Sequence, residues 1–153
     1  MENILKVKLT RPGAKLPNRA TQGSAGYDLC ACIDAPQTLE PGGHTVVPTG
    51  VAIALLPNNA AYIFARSGLA VKHGIVPANA VGVIDSDYRG EILVGLINQY
   101  AEPYTIQPGE RIAQLVIMPV LLPQIIAADE LPDTQRGAGG FGSTGRSLVD
   151  FGR

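Results

Sequence analysis

Residues 46–65 read Val46-Val47-Pro48-Thr49-Gly50-Val51-Ala52-Ile53-Ala54-Leu55-Leu56-Pro57-Asn58-Asn59-Ala60-Ala61-Tyr62-Ile63-Phe64-Ala65. Two apolar runs, 46–56 and 60–65, flank Pro57-Asn58-Asn59, a trio with turn chemistry. The runs are rich in Val, Ile and Ala, which predicts two strands joined by a turn. The pattern repeats on both sides. Leu5, Val7 and Leu9 alternate with Lys6 and Lys8, predicting an N-terminal strand with one buried face. Residues 81–84, 91–98 and 112–118 are further apolar runs, set apart by Pro41-Gly42-Gly43, Tyr88-Arg89-Gly90 and Pro108-Gly109. Short strands at this spacing predict an all-β sandwich or barrel. The one helical signal is a turn or two after Ser67, through Gly68-Leu69-Ala70-Val71-Lys72 and ended by Gly74.

The 153 residues are 46% hydrophobic, so the 18 glycines and 12 prolines read as turns in one globular domain rather than as a disordered chain. Charged residues reach only 16% and aromatics 5%, where about a quarter charged is usual. Either the surface is unusually apolar or another chain covers part of it. A net charge of −1 excludes a global attraction to nucleic acid or to an anionic membrane. The apolar runs are too short to span a bilayer. Cys30 and Cys32 are too close for an unstrained disulfide and lack a ligand-like His cluster, so they read as small core side chains in a reducing cytoplasm.

Five segments carry polar groups that a core does not need. Asp28, in Ala25-Gly26-Tyr27-Asp28-Leu29, is the only acid in residues 3–33, and its burial would demand an arginine or a metal-held water. Arg66 is the first Lys or Arg after Arg19. With Ser67 and Gly68 it stands where a strand gives way to the short helix, and helix N–H groups suit phosphate; the plain alternative is that Ser67 caps the helix. In Gly82-Val83-Ile84-Asp85-Ser86-Asp87-Tyr88-Arg89-Gly90-Glu91 an apolar run leads into Asp85, either the start of an ordinary acidic turn or a general base toward water. Asn79 could read a base edge with its amide. Gln114 is an isolated amide in an apolar strand and needs a partner or a ligand.

Residues 137–145 hold five glycines in nine, preceded by Arg136. Gly137 to Gly142 satisfies G-x-G-x-x-G, but only eleven residues follow, so the helix and distant acid of a dinucleotide fold have no room. What remains is a mobile tail, or an arm whose N–H groups and Arg136 wrap an anion while Phe141 stacks on a base.

Taken together, residues 25–29, 66–70, 82–91, 111–116 and 136–145 resemble, in order, the five motifs of the trimeric dUTPase family. Two departures are Ala65 and Val81, where many members have Pro. The resemblance implies a jelly-roll β fold, a homotrimer with sites shared between subunits, and two parts to the chain: a β domain over residues 1–135 and a mobile arm over 136–153 that closes a neighbour's site. It implies hydrolysis of dUTP to dUMP and diphosphate, with Asp85 activating the water. Asn79, Val83 and Ile84 would line the uracil pocket, Tyr88 would lie under the deoxyribose, and Arg66, Ser67, Gly68 and Gln114 would hold the phosphates. Arg136 would approach the γ-phosphate, Phe141 and Gly142 would cover the base, and Asp28 would support the site. Mg2+ would be held mainly by the triphosphate and water, not by a carboxylate cage. Two other readings fit the same fold: a dCTP deaminase-like enzyme, against which the Asp85 segment and the Arg136 arm argue, and a non-catalytic nucleotide-binding module.

Overall fold

The apolar runs become strands in the computed structural model, which describes residues 4–140. In chain order they are β1 (Lys6–Leu9), β2 (Tyr27–Cys30), β3 (Gln37–Leu39), β4 (His44–Pro48), β5 (Val51–Ala54), β6 (Asn59–Phe64), β7 (Ile75–Pro77), β8 (Gly82–Ile84), β9 (Leu93–Asn98), β10 (Tyr104–Ile106) and β11 (Arg111–Pro119). One helix, α1 (Ser67–His73), joins β6 to β7 and ends on Gly74 in the left-handed conformation. Every strand pairing among the described residues is antiparallel.

The strands form a four-stranded sheet in the order β2-β11-β6-β8, a three-stranded sheet β4-β9-β7, and the pairs β1-β5 and β3-β10. Leu29, Ile63 and Leu115 from the first sheet, Val47, Leu96 and Ile75 from the second, and Val51, Leu39 and Ile106 from the pairs fill one core. The result is an all-β, jelly-roll type sandwich with one short helix, and no closed barrel forms among the described residues.

The run 46–56, predicted as one strand, is two. Gly50 sits between β4 and β5 with φ +67°, and an added Cβ would meet Ala14. β4 pairs with β9 and β5 with β1, so the chain changes sheets at this glycine. Thr49 beside it is fully buried and donates its hydroxyl to Ile92 O at 2.7 Å. The predicted N-terminal face is only partly covered: Leu5 and Val7 pack on the core, whereas Leu9 stays 43% exposed. Strands β2, β3, β7 and β10 have three or four residues each, too few to show a period in the sequence. Cys30 and Cys32 are free thiols, half-buried rather than core; Cys32 Sγ lies 3.5 Å from Pro12 O, beneath the 11–14 turn.

The chain divides into one unit through Leu122 and a second from Pro123. Residues 123–140 contain no strand or helix. Within them Gly137 N–H donates to Thr134 O at 3.0 Å, and Arg136 Nε donates to Gly139 O at 2.9 Å, closing a small turn.

Candidate active site

Strand β11 runs between β2 and β6, and its register decides which polar residues meet. Gln114 is opposite Asp28 on one side and Phe64 on the other. Two residues beyond Phe64 the chain leaves the sheet at Arg66, which takes the helix N-cap position with extended dihedrals. Its guanidinium therefore turns back over the sheet. Arg66 Nε donates to Asp28 Oδ1 at 2.8 Å, and Arg66 Nη1 donates to Arg111 O at 3.2 Å. Arg111 Nη1 donates to the other oxygen, Asp28 Oδ2, at 3.0 Å. The lone acid thus meets two arginines, the pairing that its burial demands. Arg111 was not legible as a partner, because its reach to Asp28 depends on a register shift between Arg111 and Ala113.

Gln114 satisfies its amide locally, donating Nε2–H to Ala65 O at 2.8 Å. Ser67 does not cap the helix; no side-chain cap bond is made, and the hydroxyl stays exposed. Asp28, Arg66, Ser67, Gly68 and Gln114 line one cavity of about 390 Å³, with Gly26 and Phe64 completing its walls. The cavity combines one fixed cation, Arg66, with an exposed hydroxyl and a side-chain amide, the donor chemistry that suits a phosphate chain.

Asp85 lies elsewhere. Strand β8 ends at Ile84, and the next residues turn: Tyr88 N–H donates to Asp85 O at 3.2 Å. Arg89 ties the same turn from outside, with Nη1 donating to Ser86 O and to Tyr88 O, both at 2.8 Å. Tyr88 folds back and donates its hydroxyl to Glu91 O at 2.9 Å. Gly90 permits this fold, because a Cβ there would collide with the Tyr88 hydroxyl. Val83, Ile84, Asp85, Tyr88, Glu91, Ile92 and Leu93 line a second cavity of about 210 Å³. Val83, Ile84, Ile92 and Leu93 give it an apolar side, and Asp85 is exposed. Asn79 is exposed in the turn between β7 and β8, where Val81 N–H donates to Asn79 O at 2.7 Å.

The exit of this loop is held by a contact that the motifs did not reveal. Arg11 Nε lies 2.7 and 2.9 Å from the two Glu91 carboxylate oxygens, and Gly50 N–H donates to Glu91 Oε1 at 2.8 Å. These donors, Arg11 first, hold the Glu91 carboxyl below the usual glutamate range. The only sequence sign was an arginine and a glutamate eighty positions apart, which carries no information about contact.

The first cavity gathers Asp28, Arg66, Ser67, Gly68 and Gln114; the second gathers Val83, Ile84, Asp85 and Tyr88; the two share no residue. Arg136 belongs to the second unit, where it is exposed. Phe141 and Gly142 lie outside the described residues. Among the described residues no three His, Cys, Asp or Glu side chains are grouped to hold a metal.

A family model described as dUTPase matches residues 13–145. A deoxyuridine 5'-triphosphate nucleotidohydrolase of Desulfitobacterium hafniense is 53% identical over 150 residues, covering 95% of this chain and 99% of the relative. One from Burkholderia multivorans is 54% identical over 147 residues, again with 95% and 99% covered. Among solved structures, a mutant dUTPase of Staphylococcus bacteriophage 80alpha with dUpNHpp is similar at TM-score 0.86 and 29% identity, covering 95% of this chain and all of that one. A mutant dUTPase from phage phi11 of S. aureus, with a structural Mg(II) ion, has TM-score 0.78 and 25% identity, covering 86% of this chain.

Proposed function

The chain belongs to the dUTPase family and hydrolyses dUTP to dUMP and diphosphate, and we propose that Asp85 activates the water that attacks the α-phosphorus. The observation that carries this assignment is the sorting of the motif residues into two unlike cavities. One offers the Arg66 cation and hydrogen-bond donors beside Asp28; the other has apolar side chains, a tyrosine and the exposed Asp85 carboxylate. Neither is sufficient for a nucleoside triphosphate. Joined across a subunit contact they supply everything that an in-line displacement at phosphorus needs: a held phosphate chain, a placed sugar and base, and a base for water.

In this reading Arg66, Ser67 and Gly68 bind the phosphate chain and Gln114 lies near the α-phosphate. Asp28 orients Arg66 and does not meet the substrate anion itself. Asn79, Val83 and Ile84 form the uracil pocket, Tyr88 supports the deoxyribose face and excludes a 2′-hydroxyl, and Arg136 with Phe141 and Gly142 closes the site as an arm over residues 136–153. Exposed Val46, Leu56 and Leu93 support burial in a homotrimer. Mg2+ fits as part of the substrate complex. Both Asp28 oxygens already accept from arginines, so the cation would be held by phosphate oxygens and water and would supply neutralisation of the triphosphate. The two free thiols support a cytoplasmic location. No described helix is long and apolar enough to cross a membrane.

The test is diphosphate release from dUTP, dCTP, dTTP and UTP with Mg2+, for the wild type and Asp85→Asn. Strong preference for dUTP and a loss of roughly 100-fold or more in the variant are expected for removal of a general base. Equal rates on the four nucleotides, or an unimpaired variant, would overturn the assignment. Ammonia from dCTP would point to the deaminase reading instead.

A further inference from the structure

Glu91 stands where the Asp85 loop rejoins the sheet, and it makes two kinds of bond at once. Its main-chain carbonyl accepts the Tyr88 hydroxyl at 2.9 Å. Its carboxylate accepts from Arg11 Nε at 2.7 and 2.9 Å and from Gly50 N–H at 2.8 Å. Both anchors are themselves fixed. Thr10 N–H donates to Gly50 O at 2.8 Å, so the Arg11 segment and the β4–β5 turn form one block with Glu91. The next residue, Ile92, donates N–H to Val51 O at 2.8 Å and is fully buried. The entrance of the loop needs no such device, because β8 is zipped to β6. Between entrance and exit, the hydrogen bonds of residues 85–90 among the described residues are local to the turn.

We propose that Glu91 is a positioning residue: its carboxylate is taken up by the clamp of Arg11 and Gly50, and it sets Tyr88 and Asp85 in the catalytic arrangement through the loop. Ile92 N–H stays on Val51 O and holds the peptide that carries the Glu91 carbonyl, so release of the clamp loosens the chain on the other side of Glu91, through residues 88–90, and with it the seat of the Tyr88 ring. The inference rests on the roles given above to Asp85 and Tyr88. It therefore predicts two linked losses, in turnover and in discrimination against ribose.

The experiment measures kcat and KM for dUTP and UTP on full-length Glu91→Gln and Arg11→Ala, together with the melting temperature of each. At a temperature where both are folded, kcat for dUTP should fall by about 10- to 100-fold, the range for a group displaced by around an ångström. The dUTP-to-UTP ratio of kcat/KM should shrink in both, and Arg11→Lys should restore part of it. The double variant should cost no more than the worse single one, because both changes break one link. If Glu91→Gln does not fold, Arg11→Ala, which leaves Glu91 on Gly50 N–H, decides the matter alone. A lower melting temperature with kcat and sugar discrimination unchanged would make the clamp a structural tie only and overturn the proposal. Asp85→Asn in the same assay separates the failures: if that variant stays active, the functional assignment is wrong, not merely the clamp.

Discussion

Asp28 gives one carboxylate oxygen to Arg66 and the other to Arg111, so Arg66 is held in place on the cavity that it lines with Asp28. A paired charge of this kind is costly to break from one side, because the remaining charges are left without their partner. Glu91 has the same logic with a measurable signature. Arg11 and the Gly50 N–H hold its carboxyl below the ordinary glutamate value in the folded chain. The unfolded chain then binds more protons through the interval between the two values, so stability rises with pH there. The contribution is fully present above the ordinary value, about 4.3, and is lost as pH falls through the lowered one. Melting temperature against pH should therefore show the wild type above Glu91→Gln at neutral pH, with the gap closing below about pH 4. Curves that stay parallel down to acid would show that the carboxylate charge does nothing for stability.

At the scale of elements, the break at Gly50 matters most. An unbroken strand over 46–56 would leave either β9 or β1 without its partner; the left-handed glycine lets one apolar run serve two sheets. Gly50→Ala puts a Cβ against Ala14 at a positive φ, and a non-glycine residue held there costs on the order of 1–3 kcal/mol. Urea unfolding should show a lower midpoint with the slope unchanged. An unshifted midpoint would mean that the turn relaxes freely. The longer strand runs, the turns between them and the short helix ending at Gly74 were legible in the sequence, because apolar runs and breakers are local signals, whereas the short β2, β3, β7 and β10 were not. The division at Gly50 was not, since a glycine inside an apolar run is compatible with a bulge, a bend or a continuous strand. Ser67 illustrates the converse. Its type suits a helix cap, yet Arg66 occupies that position once its side chain is drawn to Asp28.

For the whole molecule, the proposed function joins the two cavities across a subunit contact and takes the arm as a third contribution. A chain stopped before Arg136 keeps Asp85, whereas Asp85→Asn at full length keeps the arm. Each should be nearly inactive alone. Refolded together at equal amounts, the two should yield activity in about a quarter of the sites, one half for an intact Asp85 times one half for a neighbour's arm, if the trimer shares its sites as proposed. No recovery from demonstrably mixed trimers would place Asp85 and its arm on the same chain. Size measurement of each variant alone checks that the arm is not needed for assembly.

Residue type and order were enough to identify strands, turns and five polar segments, and the family followed from those segments in their order. Local composition carries that much because a strand, a turn or an anion-binding loop is built from neighbours in the chain. Folding decided which of the segments meet. The register of β11 joined Asp28 to Arg66 and Arg111, and a turn eighty residues from Arg11 brought Glu91 to it. Such pairs form only when strands distant in sequence are laid side by side, and neither member signals the other beforehand. The placing of Asp85 in a different cavity from Asp28 and Arg66 is likewise a fact of tertiary structure, because each cavity is walled by strands that only the fold brings together.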